Sequence, residues 1–126
     1  MGTNVQVYNL NKEDFGGKEG LNDYLVITRP DVIREIHEGF LKVGVDCLET
    51  NTFGSNRFVL ARYELESKVC EIATVGARIA REAMGGRGWV LGDVGPCGGF
   101  LEPLGEITEA DLAESMREQI GGLLAG

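Results

Sequence analysis

The sequence predicts an α/β fold in which helices alternate with short parallel strands. Three observations carry this. Residues 45–50 and 89–94 are short, mostly apolar runs, and each follows closely on a segment of helical periodicity. Neither run alternates cleanly between polar and apolar residues, which is the pattern of a parallel strand expected to be buried on both faces. Finally, 19 of the 126 residues are Gly, about twice the usual share. They cluster between the periodic segments, where tight turns need them.

The elements follow in order. Residues 1–27 are the least clear: Val5, Val7 and Leu25-Val26-Ile27 are possible strand fragments, and residues 12–22 are polar and Gly-rich and read as a loop. A helix then starts at Thr28-Arg29-Pro30-Asp31, with Pro suited to the first helical position and Asp to the positive end of the helix. Val32, Ile33, Ile36, Phe40 and Leu41 recur at helical spacing, and Gly44 is placed to stop the helix. Residues 45–50 form the first predicted strand. A helical region is predicted over 56–84, ended by Gly85-Gly86-Arg87-Gly88, and residues 89–94 form the second strand. Thr108, with Asp111 three residues on, caps a last helix in a variant of the capping box. Leu112, Met116, Ile120 and Leu123 mark its expected buried stripe. Strands separated by helices imply crossover connections and a parallel sheet. Two strands are too few for such a sheet, so the chain reads as a piece of a larger one.

Composition narrows the function. Lys plus Arg total 12 against 20 Asp plus Glu, a net charge of -8. No basic face is available to displace counterions, which argues against nucleic acid and anionic membranes as partners. No apolar run approaches the roughly 18 residues that cross a bilayer. Cys47, Cys70 and Cys97 are odd in number and widely spaced, which suits a reducing cytoplasm better than a disulfide scaffold. Walker A, G-x-G-x-x-G, C-x-x-C and H-E-x-x-H motifs are all missing. The single His, His37, falls inside the first helix beside Glu35 and Glu38 and reads as a helix-surface or helix-packing residue. Cys47 and Cys70 read as buried small apolar residues. Cys97 lies just past a strand end, where α/β folds place function. The acidic positions of the last helix, Glu106, Glu109, Asp111, Glu114 and Glu118, read as a solvated face.

The strongest constellation is ETNTFGSN, residues 49–56, at the carboxyl end of the first strand. Polar side chains clustered there are costly to desolvate unless they bond to each other or to a ligand. One reading makes Glu49, Thr50, Asn51 and Thr52 caps for the next helix. The other makes them part of a pocket for a small polar molecule such as an amino acid. GDVGPCGG, residues 92–99, ends the second strand in the same manner.

Several segments together resemble the homocysteine S-methyltransferase family: MGTNVQ at the start, TRPDVIREIH…GVDCLETNTFGS over residues 28–55, YELES, ARIARE and VLGDVGPCGG. Within it the similarity is closest to the N-terminal homocysteine-binding module of the cobalamin-dependent methionine synthases, and it covers essentially the whole chain. The resemblance implies a (β/α)8 barrel of which residues 1–126 are a partial homocysteine-binding domain: about the first three βα units, with the first strand missing. It implies zinc, held by three cysteines of late strands, binding the homocysteine thiolate. It also implies methylcobalamin as methyl carrier, recharged by methyltetrahydrofolate on another module. Met1 falls inside the Asp-Gly-Ala-Met-Gly-Thr motif of the family, and Cys47, Cys70 and Cys97 match none of the zinc ligands. No metal ligand and no catalytic residue is therefore expected in this chain, and isolated activity is doubtful. The expected substrate-binding residues are Gly2, Thr3, Glu49, Asn51 and Thr52. Two alternatives remain beside this: a non-catalytic half-barrel interaction module, and a relative using betaine or S-methylmethionine as donor.

Overall fold

The computed structural model describes residues 1–126. Pro30 opens helix α3, Pro30–Lys42, as its first residue, after two single-turn helices, α1 (Gly2–Val5) and α2 (Leu25–Thr28). Strand β1, Cys47–Glu49, follows. Helices α4 (Arg57–Ala61) and α5 (Val69–Met84) then lead to strand β2, Trp89–Leu91, and α6, Glu109–Ala125, ends the chain. The strands pair in parallel, Cys47 with Trp89, Leu48 with Val90 and Glu49 with Leu91. The mixed α/β architecture with a small parallel sheet is thus as predicted.

The core lies where the helices meet. Val32, Ile33 and Ile36 of α3 join Leu25, Val26, Leu60, Val69, Ile72 and Ile79 in one buried cluster. Gly85, in the left-handed region at φ 57°, ends α5, a conformation that other residues adopt at a cost.

The structure departs from the sequence reading in several places. Residues 2–5 and 25–28 are helical rather than strand fragments, and the predicted helix over 56–84 is broken between α4 and α5 by a turn with Glu64 at φ 59°. The strands are also covered on one face only. Leu48 is buried, while Cys47 and Glu49 on β1 and Trp89 and Leu91 on β2 are exposed, because α5 is the helix packed on both strands and nothing covers the opposite face. Cys47 and Cys70 are accordingly exposed, not buried as expected; Cys97 is buried. On α6 the residues that are buried are Ser115, Gln119 and Gly122, and Ile120 of the expected stripe is exposed. At Gly122 the close approach of α5 leaves no room for a side chain: a Cβ there would stand 2.8 Å from the Cys70 carbonyl oxygen and from Ala73 Cβ. The acidic face is not wholly solvated either, since Glu114 and Glu118 pair with Arg57.

Both strands have an open outer edge, and Trp89, Leu91, Val43 and Leu124 are all more than half exposed. Open edges beside uncovered apolar side chains are templates for association. The isolated chain is therefore expected to be oligomeric or aggregated in light scattering coupled to size-exclusion chromatography. A monodisperse monomer with a cooperative melt would contradict this.

Candidate functional site

The carboxyl ends of the two strands are tied into one unit. The Thr50 N–H donates to the Leu91 carbonyl at 2.9 Å, extending the ladder by one residue. Beyond it a closed ring forms. The Asp93 N–H donates to Thr50 Oγ1 at 2.9 Å, Thr50 and Thr52 share a 2.6 Å hydroxyl contact, and Thr52 Oγ1 donates to the Asp93 carbonyl at 2.8 Å. Because the Thr52 proton goes to Asp93, the proton between the hydroxyls belongs to Thr50. Each Thr oxygen thus both donates and accepts, as a buried hydroxyl requires. Further along, the Gly95 N–H donates to Phe53 O, and Asn56 Nδ2 donates to Pro96 O at 3.0 Å while Asn56 Oδ1 caps α4.

Two elements hold this unit from outside. From α6, Gln119 Nε2 donates to Thr52 O at 2.7 Å and to Asp93 O at 3.3 Å, so one side chain spans both strand ends; its Oε1 is buried without a partner. From the single-turn segment Asn22–Tyr24, the Asn22 carbonyl accepts from Asn51 Nδ2 at 2.8 Å. The Asp23 carboxylate accepts from Ser55 Oγ at 2.9 Å and from the Gly54 N–H.

The electrostatics at the strand ends are acidic. Burial pushes the Asp23 carboxyl up to about 6, with the Asp93 charge adding to the effect and the Ser55 and Gly54 hydrogen bonds opposing it. Burial also raises Asp93, with Glu49 contributing, while the Met1 α-amino group pulls it down. His37 is fully buried on α3, its Nε2 without a partner, and desolvation lowers it to about 4 with help from the same α-amino charge. It stays neutral at neutral pH.

The expected site residues are distributed unequally. Asn51 and Thr52 are buried in the strand-end unit, and Glu49 is exposed at the end of β1. Asn51 uses its amide N–H on Asn22, while its Oδ1 takes no protein donor. Gly2 begins α1 close to the Asn22 side chain, 3.4 Å from Nδ2 for a Cβ placed there, whereas Thr3 is exposed. Asp23, Ser55 and Gln119 were not singled out by sequence. Asp23 offered a weak signal as an acid directly before an apolar run; Gln119 offered none. The largest cavity, about 560 Å3, lies elsewhere, between α1 and α3, and is lined by Val7, Tyr8, Phe40 and Val43 without a reactive cluster. No three His, Cys, Asp or Glu side chains gather as a metal site, so the zinc implied by the resemblance has no ligand set among these residues. No helix is long and apolar enough to cross a membrane.

Comparison with known proteins bears on what this arrangement serves. The family model described as homocysteine S-methyltransferase matches residues 1–126. The chain is 37% identical over its whole length to a methionine synthase of Mycobacterium tuberculosis (strain ATCC 25618 / H37Rv) and 36% identical to that of Mycobacterium leprae (strain TN). It spans 11% of the length of each.

Proposed function

Because this chain belongs to the homocysteine S-methyltransferase family, we propose that its strand-end unit is one wall of a homocysteine site in a methionine synthase-type enzyme. The observation that carries the reading is the juxtaposition of a free carboxylate, Glu49, with a rigid hydrogen-bonded ring at the carboxyl ends of parallel strands. Barrel enzymes assemble their sites from such ends. In this reading the chain is the first three βα units of a (β/α)8 barrel without its first strand. Glu49 meets the substrate ammonium, Asn51 Oδ1 and the Thr52 region meet its amino-acid end, and Gly2 and Thr3 approach from α1. These residues bind and orient; methyl transfer to the thiol takes place elsewhere in the barrel. In the complete cytoplasmic enzyme, zinc would stabilise the substrate thiolate and methylcobalamin would carry the methyl group. Residues outside this chain would hold both, and the methyltetrahydrofolate and cobalamin modules would be its partners.

A second reading, a half-barrel kept as an interaction module, is favoured by the open strand edges and by the exposed Trp89 and Leu91.

Three variants in a protein carrying the whole barrel distinguish pocket from scaffold. Glu49→Gln and Asn51→Ala are each expected to weaken homocysteine use by about 1–3 kcal/mol, the cost of stranding a polar partner. Thr52→Ala, which strands Thr50 Oγ1 and the Asp93 carbonyl, should weaken it by opening the ring behind the pocket. Zinc content should stay parental. Glu49 is the cleanest probe because no protein partner holds it, and its loss should matter less for thiols lacking the amine. Lower melting temperatures with parental homocysteine KM would mean that these residues only scaffold the loop.

A further inference from the structure

Asp23 is a buried carboxylate with no cation paired to it. It lies 6% exposed, and its donors are a hydroxyl and a backbone N–H, both from the loop that follows Thr52. The charged groups that act on it and its surroundings are Asp93 beyond β2, Glu49 beside Asp93, and the Met1 α-amino group, which faces Asp93 and His37. An unpaired buried charge is costly unless donors surround it. The contacts of Asp23 show what it holds. Gly54 approaches so closely that a Cβ there would stand 3.2 Å from Asp23 Oδ2 and 3.3 Å from Val59 Cγ1. Ser55 is fully buried and gives its hydroxyl proton to the same oxygen. The neighbouring Asn22 carbonyl holds the Asn51 amide. One short turn therefore grips the loop at residues 51, 54 and 55, on either side of Thr52 and Phe53.

We propose that Asp23 is a positioning residue for the homocysteine pocket: through Gly54 and Ser55 it fixes the loop that presents Asn51 and Thr52, without touching substrate itself. This inference rests on the pocket reading above. A charged acceptor suits the task because a carboxylate draws donors about twice as strongly as a neutral carbonyl oxygen does. The loop has no regular secondary structure between β1 and α4. Its other anchors, to Asp93, Gln119, Gly95 and Pro96, act on Thr50, Thr52, Phe53 and Asn56 rather than on Gly54 and Ser55.

The test has a structural arm and a functional arm. In the 126-residue chain, amide hydrogen exchange over residues 51–55 should quicken about tenfold in Asp23→Ala and Ser55→Ala, as local opening becomes easier, with exchange across α5 unchanged. Asp23→Asn, which keeps an acceptor oxygen, should return exchange to within about threefold of the parent. In a protein carrying the complete barrel, the same two Ala variants should raise homocysteine KM about tenfold, a loss of roughly one charged hydrogen bond, with kcat nearly unchanged and with Asp23→Asn again restoring most of it. Should Asp23→Ala fail to fold, Ser55→Ala, which leaves the carboxylate in place, decides the matter alone. Unchanged exchange over 51–55 overturns the proposal. So does faster exchange with parental KM; parental KM in Asn51→Ala as well would then show that the pocket reading has fallen with it.

Discussion

Acidifying the folded chain from pH 7 to pH 4 is expected to change its stability by no more than about 1 kcal/mol from its two most perturbed buried groups, because they act with opposite signs. Asp23 has its carboxyl raised from 3.8 to about 6. Its contribution to stability is fully present below 3.8 and is lost as pH rises through 6, since the folded state then keeps a charge that burial disfavours. His37 is lowered from 6.5 to about 4. Its contribution is present above 6.5 and is lost as pH falls through 4, since the unfolded chain takes up a proton that the folded state refuses. Each displacement, of roughly two pH units, corresponds to about 3 kcal/mol over the window. The two windows nearly coincide, so the parent profile is flat only through cancellation. Removing one partner exposes the other. Asp23→Asn should raise stability at pH 7 and then lose about 3 kcal/mol on going to pH 4. His37→Gln should gain about 2 kcal/mol over the same descent. Asp93, also raised, acts in the same direction as Asp23, while Asp14 and Asp31, lowered through hydrogen bonds that include Arg29, oppose it weakly from the surface. Denaturant unfolding of the three proteins at pH 4, 5, 6 and 7, at one protein concentration, measures this. An Asp23→Asn profile that parallels the parent would refute it.

The same residues show how far sequence carries. Helix boundaries governed by local chemistry were legible. Pro30 opens α3, and Thr108 caps α6 by accepting from the Asp111 N–H at 3.0 Å. The strand positions were legible too, because a short apolar run between two helical segments has little else to become. What could not be read depends on the partner of each surface. Hydrophobic periodicity placed Leu112, Met116, Ile120 and Leu123 toward the core, yet three of them are only half-buried and Ile120 is exposed. The buried positions are Gly122, where α5 leaves no room for a Cβ, and Ser115 and Gln119, whose polar groups bond to Arg57 and to the strand ends. The break between α4 and α5 carries neither Gly nor Pro and gave no warning. At the candidate site, the polar cluster after β1 was visible from its composition. Its bonding was not, since the bonds that fix it run to distant segments: Asn22, Asp23, Asp93, Pro96 or Gln119.

Two adjacent glycines of α6 should respond to the same substitution with opposite signs. Gly121 is exposed, and a Cβ there meets nothing within 4 Å. Gly121→Ala should therefore stabilise the chain by about 0.5–1 kcal/mol, the helix-propensity gain alone. At Gly122 the new Cβ would stand 2.8 Å from Ala73 Cβ, 2.8 Å from Cys70 O and 3.1 Å from Cys70 Cα. Two of those three atoms are backbone of α5, so no rotamer change can make room, and α6 must lift. Overpacking of this kind costs about 1–3 kcal/mol, which exceeds the propensity gain. The lift has a further consequence, because α6 also brings Gln119 to Thr52 and Asp93 and gives the Arg57 N–H its Ser115 acceptor. Weakening those contacts loosens both strand ends at once. Together the two variants should differ by roughly 1–3 kcal/mol, the overpacking cost alone, or about 4–12 °C in melting temperature for a chain of this size. Faster amide exchange at the strand ends should accompany Gly122→Ala and be absent from Gly121→Ala. Equal melting temperatures would mean that α6 is not seated on α5 through Gly122, and that Gln119 does not bind the two strand ends together.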